Sequence, residues 1–178
     1  VDVRRCSWDD CCVDRQRVSR VKIRSYRSED AGPTLAVFLD AVTVTAAADY
    51  SPEQISAWAR PEQRNVADWN RAMSNRNSYV ALVDGAVAGF SDVSPAGYID
   101  MMFVSSRHSR RGVATALLSR METEARTAGA VALSADVSIT ARPLFEHHGF
   151  VVVAQQRPAS AGVPMTNFNM VKPLGAAR

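Results

Sequence analysis

The sequence predicts a mixed α/β fold, an α+β sheet that is mostly antiparallel but contains one parallel pair of strands. Strand patterns at 78–83 and 86–93 flank an Asp-Gly dipeptide, which is typical of a tight two-residue hairpin. A third strand, 98–104, continues this meander. A helix with an apolar stripe then joins it to a strand at 131–137, and strands connected in this way run parallel.

The composition indicates a globular domain of ordinary size. The chain has 178 residues, of which 47% are hydrophobic and 22% charged. Residues 1–20 show no periodicity, and we predict that they form a poorly ordered N-terminal extension. The domain itself is expected over 21–172, followed by a C-terminal tail at 173–178.

The remaining elements are assigned from start and stop signals. Ser28, Glu29 and Asp30 offer capping oxygens to a first helix, and Ser51-Pro52-Glu53 is a start signal for a second, which Pro61 ends. Further patterns predict a strand at 21–26, a helical segment at 66–73, a short helix at 142–148, and a closing strand pair at 150–156 and 165–171.

Charge and cysteine content favour some partners over others. The net charge of +3 is mild and the basic residues are not clustered with aromatic ones, so we expect no nucleic-acid partner. We find no apolar run long enough to span a membrane and no secretory leader, and predict a cytoplasmic protein with no membrane partner. Cys6, Cys11 and Cys12 lack downstream ligands at metal spacing, so no metal site is predicted.

The junction between the third strand and the long helix has the features of an anion site. A basic loop with Arg107, Arg110 and Arg111 leads to Gly112, where the helix begins. Glycine lets a ligand approach the backbone closely, and the first amides of a helix are unpaired and carry its positive dipole end. We therefore predict that this loop binds a phosphate or pyrophosphate group.

Three sequence blocks, in this order and spacing, give the chain a family resemblance. They are Met-Met-Phe-Val at 101–104, Arg-Arg-Gly-Val-Ala at 110–114, and Ala-Arg-Pro-Leu-Phe-Glu-His-His-Gly-Phe at 141–150. The chain resembles the GNAT family of acetyl-CoA-dependent N-acetyltransferases over about residues 21–172. The resemblance implies the acyl-CoA N-acyltransferase fold, whose sheet is splayed at the parallel strand pair.

The resemblance also implies that acetyl-CoA, or coenzyme A, lies in the gap of the splayed sheet. Its pantetheine arm is expected to pair with the backbone at 102–104 like an added strand, and its pyrophosphate to bind the loop amides. The implied cofactor-binding residues are Met102, Phe103, Val104, Ser109, Arg110, Arg111, Gly112, Val113, Ala114, Thr115, Ser138, Arg142 and Phe145.

The chain departs from the family pattern at three positions. Ser109 stands where the loop usually begins with Arg or Gln, and Ser138 stands where an Asn is usual. Phe145 occupies the position of a Tyr that many members are proposed to use to protonate the departing thiolate. A thiol titrates near pKa 8.5, so its thiolate leaves without obligatory protonation. Tyr98, or a water held by Ser138, is then the candidate acid.

Asp100 is the candidate general base. It lies within an apolar strand, where a carboxylate is costly to bury without a function or a partner. It also matches a position at which many family members carry a Glu that removes the proton of the amine. The alternative is a structural carboxylate bonded to neighbouring backbone or to an Arg.

Aromatic and histidine residues allow two interpretations each. Trp58, Trp69 and Phe168 are candidates for the wall of an acceptor pocket, although the helical spacing of the two tryptophans also suits core packing. His147 and His148 end a short helix, where the helix dipole favours solvated imidazoles, and His108 is interpreted similarly.

The sequence thus predicts an enzyme that transfers acetyl from acetyl-CoA to a primary amine directly, within a ternary complex. A non-catalytic acyl-CoA-binding or sensor module of the same fold is the alternative. A P-loop or Rossmann domain is disfavoured, because neither glycine motif occurs. The acceptor, a small-molecule amine or a protein amine, is left open, and a homodimer is possible in this family.

Overall fold

The computed structural model describes residues 21–175, so the predicted extension at 1–20 and its cysteines lie outside the described residues. The helices are α1 Ala31–Asp40, α2 Pro52–Ala59, α3 Val66–Ser74, α4 Val113–Thr127 and α5 Arg142–His147. The strands are β1 Lys22–Ser25, β2 Ser78–Val83, β3 Ala86–Asp92, β4 Tyr98–Ile99, β5 Met102–Val104, β6 Ala132–Ser138, β7 Val151–Gln156, β8 Ala159–Ser160, β9 Val163–Pro164 and β10 Asn167–Pro173.

The sheet is divided into two halves of four strands each. The first has the order β1-β2-β3-β5 and the second β4-β6-β10-β7, while β8 and β9 form a separate hairpin. Among these pairs only β4 with β6 is parallel, with Tyr98 opposite Ser134 and Ile99 opposite Ala135. The predicted mixed sheet, mostly antiparallel and splayed at a parallel pair, is confirmed.

The predicted single strand at 98–104 is wrong, because the chain leaves one half-sheet and enters the other between β4 and β5. The Asp92 carboxylate accepts hydrogen bonds from the backbone N–H of Asp100 (3.1 Å) and of Met101 (2.8 Å). These two amides bond to a side chain rather than to a neighbouring strand, which interrupts the ladder at this point. The break separates the two half-sheets.

Local signals explain how the helices and the hairpin form. Ser51 caps α2 in a reciprocal pair with Gln54, as its Ser-Pro start signal predicts. At the other predicted start, the residues 28–30 form a 3-10 turn, and Asp30 is held there by Arg24 at 2.6 and 2.8 Å. The hairpin dipeptide, Asp84 and Gly85, has positive φ at both positions, as a type I′ turn requires.

Helices cover both faces of the first half-sheet. Alternate residues of β2 point to opposite sides, so that Val80 packs with α1 and α3 and Ala81 packs with α4. The apolar stripe of α4 is buried, as its spacing predicts. Strand β7, at the edge of the second half-sheet, exposes Val151, Val152 and Val153.

The helical segment Ser28–Ala48 is long and apolar enough, by length and composition alone, to cross a membrane. The prediction that the chain has no apolar run of this length is therefore wrong. Within the fold, Leu35, Val37, Phe38 and Val42 are buried, and α1 packs on β3 and β5. This is the environment of a core helix.

Candidate active site

A cavity of about 740 Å³ opens where the two half-sheets separate. Its walls come from β5, the loop and first turn of α4, the end of β6, α5, the segment that follows α1, and residues 158–160 and 165–167. A volume of this order suits a ligand the size of a cofactor.

The edge of β5 that faces this cavity has free backbone groups. Asp92 N donates to Met101 O, and Ser105 N donates to Ala88 O, so alternate residues from 101 to 105 bond to β3. In an antiparallel pair the intervening residues point their N–H and C=O the other way. The backbone of Met102 and Val104 therefore faces the gap, ready to accept an added strand.

The start of α4 forms a backbone cradle at one end of the cavity. Arg110 and Gly112 both have positive φ, at 61° and 77°, and Gly112 is the N-cap of α4. The next N–H groups have no partner within the helix and carry its positive end. This arrangement suits a phosphate or pyrophosphate group.

The structure brings together most of the predicted cofactor-binding residues. Those that line the cavity are Met102, Phe103, Val104, Ser109, Arg110, Gly112, Val113, Ala114, Thr115, Ser138 and Phe145. Two do not line it. The Arg111 guanidinium lies 3.9 Å from Asp84, and the Arg142 side chain bonds Glu146 at 2.7 Å.

Ser138 and Phe145 are held in the cavity wall by the fold itself. The Ser138 hydroxyl accepts a hydrogen bond from Ala141 N (3.2 Å) at the start of α5. Phe145 is buried and packs edge-on against Phe150, with ring centroids 4.9 Å apart. Phe145 thus contributes an apolar surface rather than a proton donor.

Asp100 lines the cavity, but it is not the buried carboxylate that its strand context suggested. Its side chain is 46% exposed and is paired with the Arg76 guanidinium, which also binds Asp92 at 3.0 Å. The buried carboxylate is Asp92, with a side chain only 5% exposed. Burial raises the pKa of Asp92, while the Met101 amide and Arg76 oppose that rise.

A second carboxylate, Asp136 on β6, also lines the cavity and was not predicted from the sequence. The Tyr98 hydroxyl donates to its Oδ2 at 3.3 Å, and Asn169 Nδ2 donates to its Oδ1 at 3.0 Å. Tyr98 itself lies outside the cavity lining, and burial, followed by the charge of Asp136, raises the pKa of its phenol. The predicted acid is therefore one hydrogen bond away from the cavity.

Of the three predicted acceptor-pocket aromatics, Trp58 lines the cavity. Trp69 is buried in the core and donates to Thr34 Oγ1 at 2.9 Å. Phe168 is buried on β10, with the Arg142 guanidinium 4.5 Å above its ring. Trp69 and Phe168 therefore serve in packing. Of the three predicted residues, Trp58 is the one that lines the cavity.

The histidines differ from one another in their contacts. His147 is exposed, as expected for a solvated imidazole at a helix end. His148 Nε2 lies 3.1 Å from the Thr115 hydroxyl in the first turn of α4, and burial lowers the pKa of its imidazole. His108 lines the cavity, and its buried Nδ1 has no hydrogen-bond partner among the described residues.

The described residues contain no group of three or more His, Cys, Asp or Glu side chains arranged to hold a metal ion. The groups that the cavity offers to a ligand include a strand edge, a helix start and two carboxylates. A splayed sheet with an anion cradle beside an open strand edge is the arrangement of a transferase that binds an acyl-CoA.

Comparison with known proteins identifies the family. Residues 46–172 match the model of the GNAT acetyltransferase domain. The chain is 39% identical over 156 residues to the uncharacterized N-acetyltransferase YafP of Escherichia coli (strain K12), covering 86% of this chain and 96% of YafP.

Solved structures give the same result. A GCN5-related N-acetyltransferase (aminotransferase, class II) from Rhodopseudomonas palustris superposes with a TM-score of 0.81 at 30% identity, covering 85% of this chain and 94% of that one. PaiA N-acetyltransferase from Thermoplasma acidophilum, solved with coenzyme A, has a TM-score of 0.67 at 19% identity, covering 86% and 99%. The chain belongs to the GNAT family of acetyltransferases, and it is an acyltransferase enzyme.

Proposed function

We propose that this enzyme transfers the acetyl group of acetyl-CoA directly to a primary amine, with both substrates bound at once. The observation that carries the proposal is the open edge of β5 running into the backbone cradle of α4 within one cavity. The same cavity extends to the carboxylates and the aromatic wall. It therefore has room for an acceptor beside the cofactor.

The residues present fit acetyl-CoA. The outward-facing backbone of Met102 and Val104 would hold the pantetheine arm, and the first amides of α4 would hold the pyrophosphate. The Thr115 hydroxyl, bonded to His148, lies in the same turn. When bound, acetyl-CoA supplies an activated acetyl group and a thiolate leaving group.

We assign proton removal from the amine to Asp100. Its carboxylate reaches the cavity, and Arg76 fixes its position. Asp136 is the alternative base, because it lines the same cavity and accepts hydrogen bonds from two neutral donors, Tyr98 and Asn169. Both carboxylates accept a proton without forming a covalent bond to the acetyl group.

The departing thiolate needs no dedicated acid in this scheme. A thiol has an ordinary pKa near 8.5, so its thiolate is a tolerable leaving group at neutral pH. Phe145 cannot donate a proton. In our proposal Tyr98 does not contact the thiolate. It positions Asp136, to which its hydroxyl donates a hydrogen bond.

Two measurements test the function. Thermal unfolding should show stabilisation by acetyl-CoA but not by ATP or NAD, and thiol release from acetyl-CoA should depend on an added amine. Stabilisation without thiol release from any amine in a broad panel would support the alternative, a non-catalytic acyl-CoA-binding module. The absence of both effects would contradict both functions.

We also make proposals about the acceptor, the oligomeric state and the location of the enzyme. We propose an amine on a small molecule as acceptor, because the cavity is lined by residues from both half-sheets and from the helices around them, with a protein amine as the alternative. A homodimer and a cytoplasmic location stay predictions, and sedimentation velocity measures the first directly.

A further inference from the structure

The cavity contains a cation, Arg64, that the proposed chemistry does not use. Its guanidinium carbon lies 4.3 Å from the centroid of the Phe38 ring, over the ring face. Phe38 in turn contacts Phe103 of β5, with ring centroids 4.9 Å apart. Arg64 is therefore two ring contacts away from the strand that would hold the acetyl-donating arm.

The hydrogen bonds of Arg64 fix its position but leave donors free. Nε donates to Ala59 O at 2.7 Å and Nη2 donates to Trp58 O at 3.2 Å, which closes the C-terminal end of α2. Among residues 21–175, Nη1 has no hydrogen-bond partner and no carboxylate forms an ion pair with the Arg64 side chain. Burial lowers the pKa of Arg64, with a smaller contribution from the charge of Arg60.

A half-buried guanidinium without a counter-ion is unfavourable unless an anion meets it. The Nη1 group has two N–H donors, which suit a carboxylate oxygen well. This cavity is the place where such an anion would come from a ligand, because Arg64 forms part of its lining.

The wall between Arg64 and β5 is aromatic. Tyr50 and Trp58 pack edge-on with centroids 5.5 Å apart, and Trp58 lies 6.2 Å from Phe103. Together with Phe38, these rings line the cavity. Such a surface binds a flat apolar body better than a flexible polar one.

The amine end of an acceptor has a separate place, because Asp100 and Asp136 line the same cavity. We propose that the acceptor is an amine joined through an aromatic body to a carboxylate, with the carboxylate on Arg64 and the ring on the aromatic wall. This inference rests on the proposed acetyltransferase function and names the class of its substrate.

The test uses acceptor pairs that differ only in the carboxylate. We would compare 4-(aminomethyl)benzoate with benzylamine, and 4-(2-aminoethyl)benzoate with phenethylamine, measuring thiol release from acetyl-CoA and expressing rates per neutral amine. A charge-assisted hydrogen bond predicts a kcat/KM about 10- to 100-fold higher for the carboxylated member of at least the first pair.

Variants of the two neighbouring arginines separate a direct contact from a general charge effect. Arg64→Gln should reduce the preference for the carboxylate to about twofold or less, whereas Arg64→Lys should retain part of it. Arg60→Gln removes the same charge from an exposed side chain outside the cavity lining and should keep the preference. Calorimetric binding of 4-(aminomethyl)benzoate to the coenzyme A complex gives a readout independent of turnover, and Arg64→Gln should weaken it about tenfold.

The outcomes distinguish this inference from the function on which it rests. Amine-dependent thiol release with no preference for the carboxylate in either pair overturns the inference alone, and wild-type protein suffices to show it. A preference that survives in Arg64→Gln also overturns it. No thiol release with any amine overturns the proposed function, and the inference with it.

Discussion

Arg76 joins the two carboxylates that frame the break between β4 and β5. It binds the buried Asp92, which holds the broken strand in place, and the exposed Asp100, which reaches the cavity. Asp100 is positioned by a charged guanidinium, whereas Asp136 is positioned by two neutral hydrogen-bond donors. The assignment of the base to Asp100 therefore depends on a direct comparison of the two.

Asp100→Asn and Asp136→Asn are matched substitutions that each remove one carboxylate. If Asp100 is the base, its substitution should lower kcat/KM at neutral pH by about a hundredfold or more, and that of Asp136 by less. Thiol release across a pH series measures both. The reverse ranking would assign the base to Asp136.

His148 provides a pH-dependent contact at the start of α4. The pKa of its imidazole is lowered from 6.5, first by burial and then by the positive charges of His147 and Lys172. The fold therefore favours the neutral form. Its contribution to stability is present above pH 6.5 and is lost as the pH falls through the lowered folded pKa.

We therefore expect the wild-type protein to lose more stability than His148→Gln between pH 7.5 and pH 5. Urea unfolding midpoints at the two pH values measure the difference. Equal losses in the two proteins would show that His148 does not contribute.

At the scale of elements, Gly89 determines how closely α4 packs on the first half-sheet. A Cβ at this position would lie 2.9 Å from the carbonyl oxygen of Phe103 and 3.0 Å from Cγ1 of Val113. The first contact is to backbone on β5 and the second to the start of α4, so both walls of the cofactor gap depend on it.

Gly89→Ala should destabilise the protein by about 1–3 kcal/mol through overpacking and should weaken acetyl-CoA binding. Urea unfolding and calorimetry measure the two effects. Gly32→Ala is the matched control, since nothing lies within 4 Å of its Cβ in α1 and alanine favours helix. If Gly89→Ala behaves like Gly32→Ala, the close packing at this position is unimportant.

The sequence predicted most elements because their signals are local. The Ser51 cap, the hairpin dipeptide, and the stripe of α4 each depend on residues within a few positions of one another. The interruption at Asp100 could not be predicted in this way, because the carboxylate that causes it, Asp92, comes from the preceding strand.

The same distinction applies to the site. Its anion cradle is one contiguous motif, and its residues at 112–115 line the cavity as predicted. Asp136 and Arg64 were missed, since they reach the cavity from β6 and from the segment after α2. The fold brings Asp136 and Arg64 to the same cavity, although they are far apart in the sequence.

At the scale of the molecule, the chain crosses from the first half-sheet to the second and back through β4, which is held in the second half-sheet by a very short pairing. Strands β4 and β6 are paired at Tyr98 and Ile99 only, next to the turn at Gly97. Ser134 N donates to Gly97 O at 2.9 Å, and Gly97 has φ of 86°. A Cβ on Gly97 would overlap the carbonyl oxygen of Ala132.

Gly97→Ala should therefore lower the free energy of unfolding by about 3 kcal/mol, from backbone strain together with the clash. Gly162→Ala separates the two causes, because Gly162 has a similar φ of 82° with nothing within 4 Å of its Cβ. We expect it to cost about 1 kcal/mol. If urea unfolding shows a similar loss in the free energy of unfolding for both variants, the clash at Gly97 does not contribute.

The separation of the half-sheets also has a consequence for the lifetime of the protein. A ligand that pairs with β5 and binds the start of α4 supplies contacts where the sheet has none of its own, and such binding stabilises the folded state by mass action. At a hundredfold excess over its dissociation constant the gain is about 2.7 kcal/mol. Because proteolysis follows the population of open chains, the abundance of this enzyme would rise and fall with the supply of its acyl donor.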